Sequence, residues 1–315
     1  MSSEDNEVLV VKIAHLYYDQ LLTQESIARR LSITRWKVGR LLDVARKTGI
    51  VTITINHGHQ RISVLEEKLI SKYQLQVAMV VTSRDSSNGE SLSALARAAA
   101  ELLTTLSTKP MVLGISWGRT MDAVADALKL GWADGIHIVQ LNGALSLSSA
   151  EGSHRDPAQK LAYTGRGRCT LMPVPAIVDD PRVKEGLERD STIKQILAIA
   201  RSTPAALFSL GSLSNDSVLV QSGYLSREEV RKLTKEGAVG DILGRFVDSS
   251  GGIVDTELDA RTLGISLSDL SNKTLRIAVA HGVDKMEIAK AALNAGIPTH
   301  LVVDELLAQI LVDAR

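Results

Sequence analysis

Residues 23–55 read TQESIARRLSITRWKVGRLLDVARKTGIVTITI, and their spacing predicts two helices meeting at a tight corner. Thr23 is placed to cap a helix over 24–31 in which Ile27, Ala28 and Leu31 share a face. Ser32 and Ile33 make the corner. Thr34 then caps a second helix over 35–47, which turns Val38, Leu41, Leu42 and Ala45 inward and leaves Arg35, Trp36, Lys37 and Arg40 outward. Ala28 is small enough for two helices to cross closely, and Ile33 plugs the core between them. A preceding amphipathic helix over 8–18, with Val8, Val11, Ile13, Ala14, Leu16 and Tyr17 apolar, completes a helix-turn-helix unit. The alternating GIVTITI of 49–55 fits a wing after the second helix, or an ordinary β-ribbon edge. Trp36 facing solvent is unusual at such a place; the alternative is a prop against the neighbouring helix.

In a helix-turn-helix the first residues of the second helix reach base edges in the major groove. Thr34, Arg35, Trp36, Lys37 and Arg40 are therefore the expected readers and phosphate contacts, with Arg35 or Arg40 able to pair bidentately with guanine. Charge supports this. The whole chain balances 36 basic against 36 acidic side chains, which taken alone argues against a polyanion partner. Yet Arg29, Arg30, Arg35, Lys37, Arg40, Arg46 and Lys47 face only Asp43 between residues 29 and 47, so the rest of the chain is net acidic. Such a cluster is otherwise a solvated helix face.

The 315 residues favour two domains of unequal size. With 44% hydrophobic and 23% charged residues the chain is of globular class, and its 3% aromatics fit an aliphatic core of strands and helices better than an aromatic-rich base-stacking platform. The lone Cys169 excludes an intrachain disulfide and a cysteine zinc cluster. No secretory core follows Met1, and no apolar run approaches the roughly 18 residues of a membrane helix, so a cytoplasmic protein with no membrane partner is expected. His57 and His59 have no third ligand nearby, and neither a metal nor a cofactor is expected.

After the break at 57–59, residues 61–73 read as a linker helix with Ile62, Leu65, Leu69 and Ile70 on one side, suited to a dimer contact or to packing on its own domain. From Val77 the pattern becomes βα alternation. Strands are expected at 77–81, 111–115, 136–141, 171–174, 205–210, 275–280 and 300–303, and helices at 92–106, 119–130, 182–201, 226–236, 283–295 and 304–313. An open α/β sheet of Rossmann type follows, whose ligands gather at the carboxyl ends of the strands.

Five strand-end loops stand out. GISWGRT at 114–120 offers Ser116, Gly118, Arg119 and Thr120 at a helix N-terminus, a place for a phosphate or sugar hydroxyls. The same residues satisfy G-x-S-x-G, a serine-hydrolase nucleophile elbow, with Asp255 and His281 following in the required order, although no oxyanion segment precedes it. A purely structural turn is the third reading. Asn142 and Gly143 follow the third strand, where the amide can bond a ligand hydroxyl or cap a turn. Gly211-Ser212-Leu213 follows the fifth. In GAVGDILGRF, 237–246, Asp241 needs a partner, either a ligand diol or Arg245. Lys285, in AHGVDK, begins a helix where cations are mildly disfavoured, which points to phosphate pairing or a mobile surface lysine.

The stretch 23–55, together with GISWGRT, SGYLSREEVRKL at 222–233, GAVGDILGRFVD at 237–248, AHGVDKMEIAKAAL at 280–293 and LVVDELLAQILV at 301–312, resembles the SorC family of sugar-sensing bacterial transcriptional regulators over nearly the whole chain. The resemblance implies a winged helix-turn-helix DNA-binding domain at 1–57, a linker helix at 58–75, and at 76–315 a Rossmann-like domain akin to sugar-phosphate isomerases that binds effector and oligomerises. It implies double-stranded operator DNA, a sugar or phosphosugar effector and a homodimer or homotetramer as partners, with repression of carbohydrate or nucleoside catabolism as the expected outcome. Effector contacts are then expected at Ser116, Gly118, Arg119, Thr120, Asn142, Gly143, Asp241 and Lys285. The family often has a basic residue where Asn142 stands, which puts a phosphate contact or lysine imine chemistry there in doubt. The competing reading is an α/β enzyme, isomerase-like or hydrolytic.

Overall fold

The computed structural model describes residues 3–51, 62–82, 88–106, 111–144, 156–214 and 217–314. It divides into two compact units, 1–57 and 58–315. The first contains helices α1 (Ser3–Tyr18), α2 (Gln24–Leu31) and α3 (Arg35–Lys47). Both expected caps form: the Thr23 hydroxyl accepts from the Ser26 amide, and the Thr34 hydroxyl from the Lys37 amide, each at 3.2 Å. Between them Ser32 takes a left-handed backbone, φ 52°, which lets the Ile33 amide bond Ala28 O at 3.0 Å and stop α2. Val10, Ile13, Ala14, Leu16, Ile27, Ala28, Val38, Leu41, Leu42 and Ala45 form the core. One expectation fails on α1. Val8 and Val11 are exposed, because the buried stripe runs through Val10, Ile13 and Ala14 at helical spacing and leaves those two valines on the opposite side. Most of the expected wing, 52–55, and His57 and His59 lie outside the described residues.

The second unit opens with α4 (Ser63–Tyr73) and carries strands β1 (Val77–Val81), β2 (Val112–Ile115), β3 (His137–Gln140), β4 (Arg168–Thr170), β5 (Ala205–Ser212), β6 (Gly240–Ile242), β7 (Arg245–Val247), β8 (Leu275–Ala280) and β9 (His300–Asp304). Seven run parallel in the order β1-β9-β8-β5-β2-β3-β4, with β6 and β7 added antiparallel on the end of β5. Period-two alternation divides the apolar side chains between two cores, one on each face. Ala206, Phe208 and Leu210 of β5 join one, Ala205 and Leu207 the other, and Ala278 and Ala280 separate from Ile277 and Val279 in the same way. The chain winds outward from β2 through β3 to β4, and from β5 through β8 to β9 in the opposite direction. The β2/β5 boundary is therefore the switch point, where the following loops diverge and leave a crevice.

Three expected elements are corrected. The fourth strand sits at 168–170 rather than 171–174, because the Met172 amide bonds the Gln140 side chain and Pro173 has no amide to extend the ladder. The helix expected over 182–201 is two, Pro181–Arg189 and Ser191–Ser202. Asp190, at ψ 135°, ends the first, and its carboxylate accepts from the Thr192 and Ile193 amides to start the second. The glycine-rich stretch at 237–246 contains the β6–β7 hairpin, with Leu243 (φ 57°) and Gly244 (φ 79°) at its turn. Helix α4 packs within its own unit: Leu65 and Leu69 enter the same core as Leu301, Leu307 and Leu311, and the Glu66 carboxylate accepts from the Val80 amide at 2.9 Å.

Candidate functional site

At the carboxyl ends of β2, β3, β5 and β8 lies a cleft of about 740 Å³ into which all five strand-end loops contribute. Ser116, Gly118, Arg119, Thr120, Asn142, Asp241 and Lys285 line it. Gly143 is not among the lining residues. Its amide bonds Leu263 O at 3.1 Å and its carbonyl accepts from Trp117 Nε1 at 2.8 Å, so both backbone groups tie the second loop to its neighbours.

The β2 loop reaches helix Arg119–Ala127 through Gly118, at φ 119° and ψ 166°, a backbone region closed to other residues. The first bond of that helix runs from the Asp122 amide to Gly118 O, so the amides of Arg119, Thr120 and Met121 have no partner within the helix. Arg119 stands exposed above them. Ser116 is buried below, its hydroxyl accepting from the Ser209 amide at 3.4 Å.

Asn142 forms the floor. It is 2% exposed, and neither Oδ1 nor Nδ2 finds a hydrogen-bond partner among the described residues. A buried, unpaired amide costs roughly 1–3 kcal/mol unless a ligand or an ordered water supplies the missing donor and acceptor. Asp241 is buried beside Gly211, its antiparallel partner, and accepts from the Gly244 amide at 2.9 Å. Burial raises its carboxyl above the ordinary range, with the Gly244 amide and the Lys285 charge pulling the other way. Of the two partners open to Asp241, a ligand diol or Arg245, the second does not form. The two side chains alternate to opposite faces of the hairpin, and Arg245 is consumed by the Asp259 carboxylate and the carbonyls of Ile265, Thr262 and Gly264.

Beside Asp241, Lys285 Nζ donates to the Ser212 hydroxyl at 3.0 Å, and Ser212 donates to Asp284 Oδ2 at 2.8 Å. Lys285 lies 3.6 Å from the same carboxylate. Among the polar lining residues, Ser209, Ser214 and Ser217 went unread in the sequence. Isolated serines carry no local signal, and only the folding of β5 and helix Val218–Gln221 brings these together.

The serine-nucleophile arrangement does not assemble. Asp255 caps helix Thr256–Arg261 and pairs with Lys232, away from the cleft. No hydrogen bond among the described residues joins Ser116 to His281, although both line the cleft.

In the first unit, Arg35, Trp36 and Arg40 are exposed and Lys37 is half-buried on α3, with Thr34 at its cap. Trp36 is 74% exposed and carries the Arg40 guanidinium over its ring at 5.3 Å, so it is not a prop against another helix. The pair presents a flat cationic surface.

Residues 59–313 match the Sugar-bind family model, a sugar-binding domain. The chain is 31% identical over 309 residues to the deoxyribonucleoside regulator of Bacillus subtilis (strain 168), with 98% of each chain covered. It is also 31% identical over 316 residues to the sorbitol operon regulator of Klebsiella pneumoniae, covering 99% of each. The crystal structure of the full-length sorbitol operon regulator SorC from Klebsiella pneumoniae aligns with a TM-score of 0.75 at 32% identity, over 97% of this chain and 98% of that one. No helix among the described residues is long and apolar enough to cross a membrane.

Proposed function

The chain belongs to the SorC-type family of sugar-binding transcriptional regulators, and on that premise we propose that α1–α3 head a winged helix-turn-helix that reads operator DNA while the cleft of the second unit takes the controlling sugar or phosphosugar. It is a sugar-responsive transcriptional regulator and not an enzyme. Thr34, Arg35, Trp36, Lys37 and Arg40 contact DNA. Effector binding shifts a homodimer or homotetramer between two arrangements of its recognition helices by differential affinity, releasing a repressed operator. Two of the relatives are named for sorbitol and deoxyribonucleoside control, so polyols, pentoses, deoxypentoses and their phosphates are the first effectors to test.

The observation that carries this reading is the orphaned amide of Asn142 at the floor of a cleft at the switch point. An amide is no nucleophile, so recognition there is by hydrogen bonds: a hydroxyl donates to Oδ1 and accepts from Nδ2. A phosphate, where present, is met by the first-turn amides of helix Arg119–Ala127, with Arg119 and Lys285 as cations.

A thermal-shift screen against those sugars and phosphates tests it. A specific effector stabilises the fold by mass action, by about 2.7 kcal/mol at a hundredfold excess over Kd, which raises Tm, and it releases the protein from its upstream DNA. Asn142→Ala is expected to abolish that shift while leaving the unliganded Tm unchanged or higher, since it removes an unpaired buried group. Absence of a shift with every compound, or a full shift in Asn142→Ala, overturns the assignment.

A pH dependence follows from Asp241. Hydroxyls donate to its ionised form, whereas burial raises its pKa in the empty cleft. Binding therefore expels a proton wherever the empty cleft still holds one. Affinity is expected to rise with pH through that raised pKa and level off above it, and calorimetry in two buffers of different ionisation enthalpy should register the proton. Affinity that falls over this range would show the protonated acid donating to the ligand instead.

A further inference from the structure

Gly282 lies on the cleft wall, but its amide points away from the cleft and donates to Asp304 Oδ2 at 2.6 Å. Asp304 is buried at the end of β9, and its other oxygen accepts from the Leu307 amide at 3.0 Å, capping helix Glu305–Asp313. The far end of that helix is gripped as well. Lys72 Nζ donates to the carbonyls of Leu311 at 2.9 Å, Val312 at 3.2 Å and Ala314, and the Tyr73 hydroxyl donates to Leu311 O at 2.8 Å. Between its ends, Leu307, Ala308 and Leu311 share a core with Leu65 and Leu69 of α4. A single helix roughly 13 Å long thus spans from the cleft wall to α4, the first helix after the residues that lead on from α1–α3.

From this geometry we propose that helix Glu305–Asp313 carries the state of the cleft to α4, with Asp304, Lys72 and Tyr73 as positioning residues. The inference rests on the cleft being the effector site. Segment 281–285 hangs on the bonds among Ser212, Asp284 and Lys285 and on the Gly282–Asp304 bond. A ligand that draws Lys285 or the Ser212 hydroxyl to itself rearranges the first set, and the segment shifts. Asp304 holds the Gly282 amide with one oxygen and the helix cap with the other, so that shift is passed to the cap. The helix is packed along one side and moves as a body rather than bending. At its carboxyl end the aligned carbonyls hold the Lys72 cation, which follows them.

Linkage is reciprocal, so the proposal is testable without the effector: loosening the grip of α4 must loosen Gly282. Hydrogen exchange of the full chain, read by mass spectrometry, is compared for the parent, Lys72→Met and Tyr73→Phe. The expected result is exchange accelerated about tenfold in Lys72→Met, the equivalent of a hydrogen bond to a charged group, in peptides covering 281–286 as well as 305–314, with 205–212 unchanged. Acceleration confined to 62–75 and 305–314 overturns it. Should Lys72→Met loosen 205–212 too, Tyr73→Phe, which deletes one hydroxyl, decides by the same criterion. Failure here leaves the sugar reading standing, and a negative sugar screen leaves this exchange pattern unchanged, so the two are told apart.

Discussion

A chain carrying Arg35→Ala and Arg40→Ala together is expected to bind operator DNA about a hundredfold more weakly than the parent, each lost contact removing roughly 1–3 kcal/mol. Both guanidiniums project from the first turns of α3, the part of a second helix that meets base edges. Neither supports the fold. They are exposed, and the Arg40–Trp36 stacking, itself on the surface, is worth at most about 1 kcal/mol. Tm should therefore move little. Anisotropy titrations at fixed salt, repeated across a salt series, divide the loss by origin: each phosphate contact removed lowers the slope of log affinity against log salt by about 0.9, whereas a lost base contact lowers affinity at constant slope. An affinity within about threefold of the parent, against the expected loss of about a hundredfold, would remove α3 from the interface.

The second large effect is on stability. Gly143→Ala is expected to cost the sensor unit about 3 kcal/mol or more, lowering its Tm by roughly 6–12 °C. A Cβ at this position would stand 2.2 Å from Pro175 O, 2.6 Å from Pro175 C and 2.8 Å from Ala176 Cα. These are backbone atoms and cannot swing aside, because the same strip is pinned by the Ala144 amide on Val174 O at 2.8 Å and the Ala176 amide on Ala144 O at 3.0 Å. The contrast with its neighbour is the sharper result: Asn142→Ala is expected to remove sensing and spare stability, whereas Gly143→Ala is expected to lower stability. Calorimetric melting of the two variants, with and without an effector that shifts the parent, reads both. A Gly143→Ala chain that melts with the parent would mean that the 174–176 strip yields.

What the sequence discloses here follows the range of the interactions. Thr23 and Thr34 are readable as caps because the bond each makes closes within three residues. The strands are readable because burial on both faces leaves near-continuous apolar runs, and with them the loops at their carboxyl ends, which is why seven of the eight expected effector positions meet in one cleft. Long-range choices are not readable. Whether Arg245 serves Asp241 or Asp259 depends on the hairpin register and on a helix 14 residues further along. Gly143 resembles a ligand-facing glycine until Pro175 is placed against it. The hairpin at 240–247 is hidden by its brevity, two three-residue strands among glycines, and Asp190 breaks a helix without the glycine or proline that usually announces it.

The unpaired side chain at position 142 also bears on how this protein would respond to selection. Natural folds sit near a stability threshold, and stabilising substitutions are commonly found where function holds the chain below its optimum. A laboratory lineage chosen only for resistance to heat should replace Asn142 early with an apolar residue and accumulate regulators that fold better and no longer hear the sugar. The frequency of substitution at this one codon, in lineages kept with and without an inducible reporter, would measure how much thermal robustness the organism gives up to remain responsive to its diet.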